Sequence, residues 1–514
     1  MSLNRRDLLR TAGTALGASL LLGACGTASS GAAPVRDAGT ATPRRGGTLR
    51  AVFTGGGAAE SLDPFGGGSP IDYVRNDVIY DSLFVLRAGE VVPALATAAE
   101  PAADARSFVV RLRPDVRWHD GSPFTADDVA YSLRYMSSPD RAFPSQLSAY
   151  LDVKAVRVRD ARTVEVPTLQ PVGDPALFLA AFPGKMVKNG ATAFTAGKAI
   201  GTGPYRVTAF ESGREARLAR FDGHWGGAAP MDELVLISLA DPQAKVNAVT
   251  TGQADYAGDI PFTTAKTGAP AGLQVRTAGE AARTAFGFVL NTTRKPFDDP
   301  RARKALRLAI DRQALVAAVL LGYGAPGNDL LCAGAKYFSD RPAPARDLDQ
   351  ARRLLRAAGA EGARIVIRSA EWEIGYNAST QLLAEQLKEV GLDVRPQIVT
   401  PPEFYEPKAL AEANGVAFTS GPVPLAVMYA RLAAIPALAM PDKEFKAALA
   451  KGVGAADETQ RSQAWAELQD IMAERGNTIV WGQADVLSLA RTNVGGIEVR
   501  DQPKYPYLGK AGLA

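Results

Sequence analysis

Four side chains dominate what chemistry this sequence could do: Cys25, Cys332, His119 and His224 are its only cysteines and histidines. Zinc and similar metals need Cys, His or carboxylate ligands at short, recurring spacings. Two histidines this far apart, with no cysteine cluster, give no metal-ligand spacing. Nucleophilic catalysis needs a nucleophile beside a base in a recognisable setting. The chain has no Gly-x-Ser-x-Gly and no His-Glu-x-x-His, and neither histidine has a triad-like context. Cys332 has no second internal cysteine with which to form a disulfide, so it reads as a small buried hydrophobe. These residues predict a protein without metal or cofactor that is not an enzyme.

Cys25 stands apart because of what precedes it. Arg5 and Arg6 come before an apolar run over 11–24 that is too short to span a bilayer, which takes about 20 residues. A basic start, a short apolar stretch and small residues at its end predict a secretory signal. The arginine pair resembles a twin-arginine export signal, with Asn4 where Ser or Thr is usual. Leu22-Gly23-Ala24-Cys25 resembles a bacterial lipobox, which implies that 1–25 is removed up to a lipidated Cys25. The alternative is a plain secretory signal whose cysteine is incidental. Residues 26–45, rich in Gly, Ala, Ser, Thr and Pro, predict a flexible tether.

The elements that must position any site follow from pattern. The length of 514 residues predicts two or three domains. The net charge of +4, from 58 basic and 54 acidic residues, leaves no footprint for nucleic acid. β-formers follow the glycine pair at 46–47. Thr125 and Asp128 have capping-box spacing ahead of Val129, Leu133 and Met136. Strands are predicted at 163–166, 205–210, 233–238, 365–368 and 478–481. Helices are predicted at 242–250, 299–321, 348–358, 379–390 and 458–474. Irregular alternation without a repeat period indicates an α/β protein of more than one lobe.

The order of fragments then becomes informative. Gly46-Gly47-Thr48-Leu49, Ser61-Leu62-Asp63-Pro64 and Val92-Pro93-Ala94-Leu95-Ala96 come first. The stretch from Arg113-Pro114-Asp115-Val116-Arg117-Trp118-His119-Asp120-Gly121 to Asp128-Val129 follows. Gly201-Thr202-Gly203-Pro204-Tyr205, His224-Trp225-Gly226-Gly227 and Pro296-Phe297-Asp298-Asp299-Pro300 through Asp311-Arg312 complete the series. In this order they resemble the family 5 extracellular solute-binding proteins, which include dipeptide-, oligopeptide- and nickel-binding members. The resemblance implies a type II periplasmic-binding fold, a two-lobed venus flytrap with an inserted domain. Domain I would combine 46–77, 201–279 and 483–514, domain II would be 78–200, and domain III would be 280–482. It also implies an exported, monomeric lipoprotein, anchored at the outer face of the cytoplasmic membrane, that hands a small molecule or short peptide to an ABC permease. A ligand sensor signalling through a membrane partner is an alternative, and an anchored hydrolase a more distant one. On this reading Trp118 is core, His119 a hydrogen-bonded corner and His224 surface packing in place of a tyrosine common in the family. Gly201–Pro204 marks a crossover between lobes, and Asp311-Arg312 an ion pair.

The resemblance also implies where ligand would lie, in loops that follow strands. Phe65 and Tyr73 are candidates after the first strand, and Trp372, Tyr376 and Asn377 after 365–368. Phe418, Thr419, Ser420, Trp481 and Gln483 complete the set. Peptide-binding members carry an acid that pairs with the peptide's α-ammonium, in a segment corresponding here to 418–425. Those residues include no acid. Glu371 or Glu373 would have to take over that role.

Overall fold

The computed structural model describes residues 34–141, 145–180, 184–371, 373–404, 406–500 and 502–514. Arg5, Arg6, Cys25 and Trp372 lie outside them. Among the described residues three larger sheets, of eight, six and four strands, and two two-stranded sheets organise the chain. Strand Thr48–Thr54 buries residues on both faces, as a central strand does, and runs parallel to both its neighbours, Glu233–Leu239 and Tyr256–Gly258. Four antiparallel strands and the short parallel strand Val35–Arg36 extend this first-lobe sheet to eight strands. The second lobe is built on a six-stranded mixed sheet. Its fully buried strand Thr284–Leu290 lies antiparallel between Thr478–Ala484 and Gly415–Ser420. The insertion has a four-stranded antiparallel sheet covered by helix Ala126–Met136.

The chain passes between the lobes twice, from Leu273–Thr277 into Thr284–Leu290 and from Thr478–Ala484 into Leu487–Arg491. The crossings run side by side. Ala278 N donates to the Val486 carbonyl (3.0 Å), and Arg283 Nε donates to Asp485 Oδ1 (2.7 Å). Gly279 turns the first crossing at φ +96°, where a side chain would be strained. Gln483 is still inside the second-lobe sheet, between Ala285 and Ala325, so the return crossing starts beyond it rather than at it.

The insertion rejoins the first lobe through Gly201–Pro204, which is therefore not a crossover between the lobes. A Cβ on Gly201 would stand 1.8 Å from the Ile79 carbonyl oxygen, so only glycine permits this approach. His119 clamps the same turn. Its Nδ1 accepts from Gly201 N (3.1 Å) and its Nε2 donates to the Gly203 carbonyl (2.9 Å). Accepting at Nδ1 requires a neutral ring, and burial lowers the His119 pKa to about 4. Asp81 completes the joint, accepting from Thr202 Oγ1 (3.0 Å) and Trp225 Nε1 (2.9 Å) with His224 Nε2 3.6 Å away. Burial alone would raise the Asp81 pKa; bonds and charge from His224, with Trp225 and Lys185, hold it at about 2. His224 is thus part of this joint rather than surface packing.

Thr125 and Asp128 form the capping box, and the same Asp128 carboxylate accepts from the indole of fully buried Trp118 (3.2 Å). The helix expected over 299–321 is two helices, Pro300–Ala309 and Arg312–Val319, because Ile310 is extended and Asp311 caps the second. Arg312 consequently pairs with buried Asp329 (2.7 Å) rather than with its neighbour. Cys332 is wholly buried, and burial pushes its thiol pKa up. The end of the stretch expected to be a tether, 26–45, pairs with the first-lobe sheet. Val35–Arg36 adds a strand parallel to Leu273–Thr277, and the buried Asp37 carboxylate accepts from Ser488 Oγ (2.6 Å) and Tyr256 Oη (3.1 Å).

Candidate functional site

The side chains that face each other across the lobes gather beside the hinge. From the first lobe, helix Pro70–Ile79 contributes Tyr73, whose ring lies 4.8 Å from that of Tyr505 in the C-terminal segment. The preceding residue, Lys504, reaches into the second lobe. It forms a buried ion pair with Glu373, and its Nζ lies 5.4 Å from the centre of the Phe286 ring on strand Thr284–Leu290. Asp259 stands 3.6 Å from the same ammonium. Burial works against the Lys504 charge, but Asp259 and Glu373 outweigh it and raise its pKa. Lys245 fixes the Asp259 loop from behind, donating to the carbonyls of Gly258 (2.9 Å) and Asp259 (2.6 Å) and to Thr54 Oγ1 (2.9 Å). Asp259, Phe262, Thr284, Phe286 and Lys504 line a crevice shared by both lobes.

Further along, the loop after the first strand meets the insertion. Phe65 packs edge-on to Tyr135 (6.1 Å), and Arg141 lies over both rings while pairing with Asp63 (2.7 Å). On the second lobe, helix Leu425–Ala433 carries Arg431 back over the face of Phe418, 5.7 Å from its centre. The insertion also touches this lobe directly: Tyr150 Oη donates to the Ala426 carbonyl (3.3 Å) and Gly173 N to that of Val453 (2.8 Å).

The described sequence candidates fall into three groups, with Gln483 apart from them. Phe65, Tyr73 and Phe418 lie at these junctions. Thr419, Ser420 and Asn377 already bond within the second lobe: Thr419 Oγ1 donates to the Ala285 carbonyl, Ser420 Oγ accepts from Cys332 N, and Asn377 Oδ1 accepts from Ser369 Oγ. Tyr376 and Trp481 are buried, each edge-on to the Phe286 ring at 5.7 and 5.9 Å. Both therefore pack on Phe286, a ring that also lines the crevice. Gln483 is buried, and its Oε1 meets no donor among the described residues. Glu371 caps helix Tyr376–Lys388, accepting from Gly375 N (2.6 Å) and Asn377 N (3.2 Å). Lys504, Tyr505, Phe286 and Arg431 escaped the sequence reading. The first two follow no strand, but a single arginine in the apolar run Leu425–Ala433 was a usable signal.

This architecture can be set beside known proteins. The pattern of the bacterial extracellular solute-binding proteins, family 5 (middle region), matches residues 90–424. The chain belongs to that family. Among curated relatives, this solute-binding protein is 28% identical to the glutathione-binding protein GsiB of Pectobacterium atrosepticum over 374 residues, 71% of this chain and 72% of the relative. The GsiB of Escherichia coli K12 is 26% identical over 364 residues, 69% and 70% of the two chains. Among solved structures, AgaA from A. tumefaciens R10 in complex with agropinic acid matches with a TM-score of 0.77 at 20% identity. The match covers 91% of this chain and 99% of AgaA. DppA from Helicobacter pylori in complex with the peptide STSA matches with a TM-score of 0.76 at 19% identity and the same coverage. At such identities these structures establish the fold: the mixed α/β, two-lobed fold of periplasmic binding proteins.

Proposed function

We propose that this protein captures a small polar solute between its two lobes and delivers it, unchanged, to an ABC permease. The observation that carries the reading is the meeting of Tyr73, Lys504 and Tyr505 with Phe286 and Glu373 beside two chain crossings that run side by side in opposite directions. A solute lying there touches both lobes only when they are closed, so it stabilises closure. Aromatic faces with a few convergent polar groups suit a small ligand. The glutathione-binding relatives and the peptide-bound structural neighbour support a peptide-like or similarly polar solute.

Free dipeptides and tripeptides fit less well. Residues 418–425 hold no acid, Glu371 is committed to a helix end and Glu373 to Lys504. A buried α-ammonium without a partner loses about 2–5 kcal/mol of binding. A thermal-shift screen of metabolites and peptides, followed by calorimetry, tests the reading. At a hundredfold excess over its Kd the cognate solute adds about 2.7 kcal/mol of stability and is recovered intact. Unblocked short peptides bind weakly or not at all. Chemically altered solute would move the protein to the enzymes, and low-micromolar binding of unblocked peptides would overturn the assignment of ligand class.

The same reading places the protein outside the cytoplasmic membrane as a monomer, exported through its Arg5-Arg6 signal and held by lipidated Cys25. Cys25→Ser then releases it from the membrane fraction of cells. Unchanged membrane retention would contradict the anchor. A sensor that signals without transport shares every feature of the cleft and differs only in its membrane partner.

A further inference from the structure

The second lobe holds a space of its own, a cavity of about 210 Å³ whose walls come from that lobe alone. Tyr429 and Leu432 from helix Leu425–Ala433, Leu438 and Met440 from the loop after it, and Phe445 from helix Lys443–Gly454 are its buried walls. The Tyr429 and Phe445 rings meet edge-on at 5.2 Å and fix the corner between the two helices. The loop is pinned to the ends of sheet strands. Asn477 Nδ2 donates to the carbonyls of Leu438 (3.0 Å) and Leu290 (3.1 Å), and Thr292 Oγ1 donates to that of Ala439 (3.2 Å). An unfilled apolar space destabilises a fold in proportion to the volume that cannot collapse. Here the pinned loop prevents collapse, and the small side chains of Ala433 and Ala439 leave the space open. An apolar cavity of about 150 Å³ stays dry and takes up benzene, so this one has room for a ring and a short chain.

Its polarity is uneven. At the floor, buried Asn477 has spent both amide hydrogens on carbonyls, so the depth favours an apolar group. The mouth, where Ala433, Pro441 and Lys446 are exposed, carries a single charge. Among the described residues Lys446 makes no ion pair, and the neighbouring acids Asp442 and Glu444 are both held by Arg475. Apolar walls beneath one unpaired ammonium complement an apolar molecule that ends in a carboxylate.

We propose that this cavity is a second binding site, separate from the interlobe cleft, for a small aromatic or aliphatic monocarboxylate. The apolar end fills the space and the carboxylate pairs with Lys446. To test this, 3-phenylpropionate and octanoate, each beside its primary amide, are titrated by calorimetry into the full mature chain. Methyl-labelled methionine lets the Met440 resonance be followed by NMR in the same titrations. Both acids shift that resonance as they saturate, and they bind about threefold tighter than their amides, the gain an exposed ion pair gives. Lys446→Gln removes the difference and leaves amide binding where it was. Ala433→Trp, at an exposed position, plugs the mouth and weakens all four ligands about tenfold or more. Leu449→Trp serves as a second plug, and circular dichroism checks that each variant folds. Binding that leaves the Met440 resonance unmoved would put the acids elsewhere and overturn the proposal. Equal binding of acids and amides, an affinity that survives both plugs, or no binding of any of the four overturns it as well. So does a concentration-dependent sedimentation coefficient that Ala433→Trp abolishes, which would make a second copy of the chain the occupant.

Discussion

The first lobe makes two joints, and they are built from different materials. Its joint with the insertion is fixed by backbone against backbone: Gly201 touches the Ile79 carbonyl, His119 bridges Gly201 and Gly203, and Asp81 gathers Thr202, Trp225 and His224. Its joint with the second lobe consists of two extended crossings, the ion pairs Arg283–Asp485 and Lys504–Glu373, and the aromatic faces of Phe286 and the tyrosine pair. Interlocked backbone cannot slide without breaking hydrogen bonds that nothing else replaces. Long charged side chains and ring faces can part and take up water or ligand instead. We infer from the contrast that the insertion and first lobe move as one body, with opening at the hinge parting the insertion's bonds to Ala426 and Val453.

The first way to break this contrast is to wedge the tight joint. Gly201→Ala places a methyl group against a carbonyl oxygen, and overpacking of this kind costs up to about 3 kcal/mol. Chemical denaturation should register a loss of that size, while the affinity for the cognate solute stays within about twofold. A parallel fall in affinity would mean that this joint also moves on binding.

The looser joint should respond in the opposite sense. Lys504→Met leaves Glu373 buried without its cation, and truncating one side of such a pair typically costs 2–5 kcal/mol. Because the pair spans the lobes, the cost falls on closure, and solute should bind about tenfold more weakly or worse by calorimetry. The double variant Lys504→Met with Glu373→Leu should recover part of that loss, since neither charge is then stranded. An unchanged affinity in the single variant would show that the pair does not help to hold the lobes together.

Local turns and caps of the insertion were legible in the sequence, but of the tight joint only His119 was, and of the loose one little. Trp118, His119 and the Thr125–Asp128 cap sit in one contiguous stretch whose turn and capping chemistry is local, so residue type and spacing reveal them. The end of helix Pro242–Thr250 and the glycine stop at Gly359, with φ +64°, were readable for the same reason. The cleft is assembled from segments far apart in the chain. Lys504 meets Glu373 across 131 residues, a pairing no local pattern encodes. For Trp481 and Tyr376 the sequence offers no choice between core and cleft wall, because an aromatic residue near a strand end suits both; their packing on Phe286 depends on tertiary structure. The break at Ile310 was hidden because the apolar spacing continues across it. Asp311, a strong N-cap residue, was the visible sign of a second helix. The docking of Asp37 depends on Tyr256 and Ser488, which nothing in the low-complexity stretch around it announces.

The central claim is that the lobes close about the paired crossings onto a solute that leaves unaltered. The most direct measurement is a spin-label distance between the lobes, from labels at Ala209→Cys on the first and Lys388→Cys on the second, taken with and without the solute found by screening. Both positions are exposed, and the buried Cys332 thiol does not compete for label. The predicted result is a broad distribution without solute that collapses, on binding, to one short distance matching the closed arrangement described above, with the solute recovered intact. The same distance distribution in both states, or recovery of a converted solute, would contradict it.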